Sequence, residues 1–236
     1  MHLGSTYRSR SSWLLALALL LKFDVTPSVE INTGSVRALT FIEVAVQARG
    51  NASGALRQRT SALLEHQISP GQIILMQEIS RPERFAVLER ETPAASTADR
   101  WKTHALTESL TDDLTAPPDQ RLNREFDKGA PSAGPSGDVR ANLYVITHVD
   151  IATPDRSRAE TALHRLATAA RRSDGNLGFE ILQQIDRPNH FNLISAWLSE
   201  SPFRAFAVSA EARQFRQTLG PLLGSPYDER LFRRID

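Results

Sequence analysis

Apolar and polar positions change period several times along the second half of the chain. NLYVITHVDI (142–151) is dense in β-branched and aromatic residues, the pattern of a strand. TPDRSRAETALHRLATAARRSDG follows, with Ala159, Ala162, Leu163, Leu166, Ala169 and Ala170 at helical spacing. Thr153 stands as an N-cap, Pro154 at the first helical position and Gly175 just past the end. GFEILQQID and HFNLISAWL read as two strands joined by the turn residues RPN. Ser201-Pro202 opens a second helix running toward Leu223, and DERLFRRID closes with a strand. The order β-α-β-β-α-β is that of a ferredoxin-like unit.

The first half shows the same order: strand 39–48, helix near 53–67, strands 72–80 and 84–91, helix near 96–114 and strand 120–126. Direct echoes accompany it. ISRPERFAVLE (79–89) and IDRPNHFNLIS (185–195) share Ile, Arg, Pro and Phe at an offset of 106 residues. VRALTF and VRANLY match at an offset of 103, and RLNREFD and RLFRRID at 109. Three matches in one order indicate a duplication. KGAPSAGPSGD (128–138) between the copies has a linker's composition. The expected organisation is a leader over 1–34, domain 1 over 35–127, a linker over 128–138 and domain 2 over 139–236. A four-stranded antiparallel sheet with helices on one face leaves the other uncovered. Two such sheets packed together in one chain form an α+β, intramolecular pseudo-dimeric barrel.

Composition narrows the function. A formal charge of +1 and no basic stripe argue against nucleic acid, and the absence of cysteine removes thiolate chemistry and iron–sulfur clusters. No histidine–carboxylate pair has metal-site spacing, so no metal is expected. The leader carries Arg8 and Arg10 before an apolar run, Trp13–Leu21, too short to span a bilayer. That pairing is signal-like, although no good cleavage site follows. The expected location is therefore outside the cytoplasm if the leader is a signal, and cytoplasmic otherwise. Asn51-Ala52-Ser53 fits a glycosylation pattern of low specificity.

GNLGFEILQQIDRPNHFNLISAWLSESPFRAF and SAEARQFRQTLGPLLGSPYDERL resemble an antibiotic-biosynthesis-monooxygenase domain of the dimeric α/β-barrel superfamily. The resemblance spans nearly all of the second copy and, more weakly, the first. It implies a small enzyme that oxidises an aromatic or quinol-type substrate with molecular oxygen and no resident cofactor, in a pocket between sheet and helices. A related branch degrades haem with a strand-end Trp and a helix His. Trp197 matches that tryptophan, with Glu91 in its place in the first copy. His104 matches the histidine, with Phe206 in its place in the second copy. Neither copy has both, which argues against haem.

Asn192 and His190 alternate on one strand, as Tyr144 and His148 do on another. The expected roles are Asn192 polarising a substrate oxygen, His148 or His190 accepting a proton, and Trp197 and Tyr144 shaping the pocket, with Phe206, His104 and Glu91 as further substrate contacts. Trp197 has the opposite strand parity to Asn192. Interior packing accounts equally well for Trp197 and Tyr144, and solvated surface positions for the histidines. Expected partners are a small aromatic substrate and further copies of the chain, with no nucleic acid and no membrane span. The rival reading is a barrel that binds or senses a ligand without chemistry.

Overall fold

In the computed structural model the described residues are 36–66, 73–90, 107–127 and 141–235. The leader, the linker, Glu91 and His104 lie outside them. Eight strands form a closed antiparallel barrel: β1 (Val36–Glu43), β2 (Ile73–Glu78), β3 (Arg84–Arg90), β4 (Asp119–Glu125), β5 (Leu143–Asp150), β6 (Asn176–Gln184), β7 (His190–Trp197) and β8 (Asp228–Arg234). The order around the barrel is β1-β3-β2-β8-β5-β7-β6-β4. Each half supplies four consecutive strands of this circuit, and the pairs β2·β8 and β4·β6 join the halves at both edges. Closure leaves no edge strand unpaired within the barrel.

Register confirms the repeat and corrects part of its alignment. Phe85 faces Ile42 and Gln77, and Phe191 faces Val149 and Gln183. The central hairpins are therefore equivalent at an offset of 106, but the first strands lie 107 residues apart, not 103. VRALTF and VRANLY are out of register by four, and that echo is coincidental. The hairpin echo is physical. Gln77 Nε2 donates to Pro82 O at 2.7 Å, and Gln183 Nε2 donates to Pro188 O at 2.6 Å. The proline fixes the turn and presents its carbonyl to a buried amide from the preceding strand.

Helix α1 (Arg49–His66) follows a 3-10 turn at Val46–Ala48, so the first strand ends five residues earlier than its apolar run suggested. In the second half, α2 (Arg156–Arg171) packs on the sheet, and the chain turns at Gly175 with φ 74°. A Cβ there would stand 2.7 Å from the Pro202 ring, so the turn and the close approach both require glycine. The expected last helix is two: α3 (Glu200–Ala207) and α4 (Ala210–Leu219). Ser209 breaks the run, its hydroxyl accepting from Ala212 N to cap α4.

Each strand has one face inside the barrel and one toward the helices. Leu39, Ile74, Met76, Leu88, Tyr144, Ile146, Leu182, Ile194 and Phe232 fill the interior from both halves. Leu143, Phe179, Ile181, Phe191, Leu193 and Trp197 face outward against α2, α3 and α4. Burial of these two apolar layers is the main stabilising term.

Candidate functional site

The side chains expected to form one site lie on two faces of the same sheet. Trp197 and Phe206 are on the helix side, with ring centroids 5.4 Å apart. Asn192, His148, His190 and Tyr144 point into the barrel. Strand alternation places β7 residues 192 and 197 on opposite faces, and the register to β5 shows no bulge that would reverse it. Trp197 and Asn192 therefore cannot wall one pocket. Tyr144, fully buried among Leu39, Ile194 and Phe232, is part of the barrel core.

On the helix side, Trp197 is fully buried. Its indole N–H donates to Ser195 Oγ at 2.9 Å, and Phe203 meets it edge-on at 5.9 Å. Phe179, Phe206 and Phe215 complete an aromatic cage around a residual void of about 30 Å3. At the strand end the lining turns polar, with Thr147, Ser195, Arg216, Tyr227 and Glu229. Tyr227 Oη donates to Glu229 Oε2 at 3.1 Å. Burial, with the Glu229 carboxylate adding to it, pushes the Tyr227 phenol well above its ordinary value, so it stays a neutral donor. Leu166 and Phe215 line this cage and also an open groove of about 450 Å3 between α2 and α4. These two side chains stand between the void and the groove. Tyr227 and Glu229 were missed by sequence reasoning. Tyr227 replaces Pro118 in the first copy and Glu229 replaces Gln120, a difference that could have drawn attention to both.

Inside the barrel, β5, β7 and β4 bring a polar chain to one mouth. His190 Nε2 lies 3.5 Å from Asp150 Oδ1, His190 Nδ1 is 3.3 Å from His148 Nε2, and the two imidazoles stack. His148 Nδ1 faces Arg121 Nη1 at 3.4 Å and Asn192 Oδ1 at 3.3 Å. Asn192 Nδ2 donates to Asn123 Oδ1 at 2.9 Å, and both amides are fully buried. Two proton arrangements satisfy the chain. With both rings neutral, Arg121 donates to His148, His148 to His190, and His190 to Asp150. With His190 protonated, His190 donates to Asp150 and to His148, whose Nδ1–H then turns to Asn192. The arrangement holds protons, but Asn192 is already engaged by side chains and lines no described cavity.

Burial, then the positive charge of Arg121, holds His148 below its ordinary value of 6.5. The unfolded chain thus binds a proton near pH 6.5 that the folded chain resists. His148 should cost no stability above that pH and should destabilise progressively as pH falls through and below it. Melting temperature measured from pH 8 down to pH 5.5 should decline, and His148→Gln should flatten the upper part of that decline. An unchanged profile in the variant would reassign the effect to carboxylates.

A haem does not suit the aromatic cage. Phe206 stands opposite Trp197, and no described imidazole lines the cage to ligate an iron. Among the described residues no cluster of His, Asp and Glu is arranged to hold a metal ion, and no helix is long and apolar enough to cross a membrane.

Comparison with known proteins matches residues 142–218 to the family model described as antibiotic biosynthesis monooxygenase. No curated protein matches. Among solved structures, a candidate monooxygenase from Fusobacterium nucleatum is similar at 5% identity and a TM-score of 0.68, over 87% of this chain and 94% of its own. A candidate monooxygenase from Lactobacillus acidophilus, at 11% identity, covers 86% of this chain and 95% of its own with a TM-score of 0.60. An anthrone oxidase-like protein, at 10% identity, covers 87% and 93% with a TM-score of 0.61. At these identities the likeness is one of fold, over most of this chain and nearly all of each of the others.

Proposed function

We propose, on the match of residues 142–218 to the antibiotic biosynthesis monooxygenase family model, that the protein oxidises a small planar phenol or quinol with molecular oxygen in the aromatic cage of its second half. The observation that carries this reading is the cage itself: Trp197, Phe203, Phe206, Phe179 and Phe215 around a polar end formed by Thr147, Ser195, Tyr227 and Glu229. Apolar walls with a few convergent polar groups are the usual form of a site for a flat ligand. The substrate enters from the groove between α2 and α4 as Phe215 and Leu166 swing aside.

The chemistry follows from the polar end. Glu229 takes the phenolic proton, and the Tyr227 hydroxyl, already held neutral, donates to the substrate oxyanion. The electron-rich anion then reduces oxygen. One oxygen atom bonds to the ring carbon, that carbon loses its proton, and the O–O bond breaks. The products are a quinone and water, and the substrate supplies every electron. The reading needs no resident metal or organic cofactor.

Oxygen uptake with a hydroquinone or anthrone tests it. Glu229→Gln should lower kcat by roughly 100-fold or more, the range for loss of a general base. Tyr227→Phe should lower it about tenfold, and Asn192→Ala should leave it unchanged once folding is verified. Uptake indifferent to Glu229 and Tyr227 but abolished by Asn192→Ala would move the chemistry to the barrel interior. Saturable binding with no uptake would make the protein a ligand-binding barrel.

A further inference from the structure

The pseudo-twofold that relates the halves runs along the barrel, because β1 and β5 run in the same direction. It therefore pairs residues at one mouth. His148 corresponds to Phe41, His190 to Arg84, Asp150 to Glu43, Gln184 to Glu78 and Asn123 to Phe232, as their registers show. In the second half this place is occupied by the histidine–asparagine chain. In the first half it is a cavity of about 210 Å3, lined by Phe41, Phe232, Glu78, Arg84, Arg121 and Arg230 among others.

Three arginines and three carboxylates line this cavity, and one carboxylate oxygen among them is left without a donor. Arg230 is held by both oxygens of Asp228, and Arg121 by Asp119. Arg84 pairs with Glu43 at 3.0 Å, and Arg81 with Glu83 at 3.0 Å. Glu78 is the carboxylate of the lining that none of these close pairs engages. Its side chain is 5% exposed, and its Oε1 accepts from Ser80 Oγ. Among the described residues its Oε2 accepts no hydrogen bond, and Arg84 Nη1 lies 4.0 Å from it. A buried carboxylate oxygen without a donor is costly. Here it lines a void large enough for several waters or a small molecule. Beside it stand Phe232, fully buried, and Phe41, over whose ring Arg121 and Arg230 are placed at 5.0 and 5.6 Å.

We propose that this mouth is a second ligand site, separate from the aromatic cage, for a small primary amine whose ammonium donates to Glu78 and whose apolar body lies against Phe41 and Phe232. The ammonium supplies the missing donor to the Glu78 carboxylate. Selectivity is set by charge, because a neutral isostere leaves the desolvated carboxylate uncompensated. The site draws on both halves, since Arg230 and Phe232 come from β8 and the rest from β1, β2, β3 and β4. Gln184 in place of Glu78 removes the charge from the equivalent position.

Benzylamine and its neutral isostere benzyl alcohol are the probes, titrated calorimetrically into the full chain at pH 7. Wild type should bind benzylamine roughly ten- to a hundredfold more tightly than benzyl alcohol, as expected for one charge-assisted hydrogen bond. Glu78→Gln, of the same shape, should abolish that preference, and Phe41→Ala should weaken benzylamine alone or with its isostere. Trp197→Phe, in the other site, should leave both affinities unchanged. Equal binding of the two probes, no binding of benzylamine, or a preference that survives Glu78→Gln would each overturn the proposal.

Discussion

Glu180→Ala is expected to destabilise the protein by about 3–5 kcal/mol, the usual cost of removing one partner from a buried ion pair. Glu180 lies inside the barrel on β6, where its mate in the first half is Ile74. Its Oε1 accepts from Arg90 Nη2 at 2.8 Å, and its Oε2 is 3.8 Å from Arg37 Nε. Both arginines come from the first half, on β3 and β1. Arg37 is almost fully buried, and that burial drags its guanidinium below the ordinary value, with Glu180 as the chief opposing influence. Without the carboxylate, Arg37 remains desolvated near the like charge of Arg90, with the weaker influence of Glu125 to offset it. Urea unfolding measures the loss. Glu180→Leu combined with Arg37→Met should recover much of it, because apolar replacement of a whole buried pair is often neutral or better. A double variant no more stable than Glu180→Ala would mean that packing, not charge, sets the cost.

Trp197→Ala should cost a similar amount, about 3–5 kcal/mol, and should also remove turnover. The indole is fully buried against Phe203 and Phe206, so its removal opens a large cavity in the core. Trp197→Phe separates the two roles. It keeps an aromatic wall but strands Ser195 Oγ without its donor, an expected loss of about 1–2 kcal/mol. If the cage is the site of oxidation, this variant should raise KM for a quinol more than it lowers kcat. Full activity in a folded Trp197→Ala protein would reduce the tryptophan to core filling.

The legible parts of the chain were those governed by local chemistry. Proline after arginine in each hairpin, the β-branched run of β5 and Gly175 after α2 each fix a local geometry, and the duplication follows from the repeated hairpin. Alternation also predicted that Trp197 and Asn192 would face opposite ways, and the structure shows that it outweighs their apparent grouping. What could not be read was which strands meet across the halves. The β2·β8 and β4·β6 pairings bring Arg121 to His148 and Phe232 to Glu78, and nothing local in β4 or β8 encodes those partners. VRALTF and VRANLY misled for a related reason: similar letters near strand starts carry no register. Ser209 ended a helix that its apolar spacing would have continued, because a side-chain cap competes with propagation.

Fusion of the two halves permits an asymmetry that a dimer of identical chains could not have. In a symmetric pair every substitution occurs twice, so Glu180 would meet surroundings built from its own repeat. There the positions of Arg37 and Arg90 are held by Tyr144 and Ala196, and neither offers a counter-charge. A barrel of two second halves would enclose two carboxylates with no arginine for either. The two repeats have therefore become complementary parts, each supplying charges that the other requires, and neither is interchangeable with its twin.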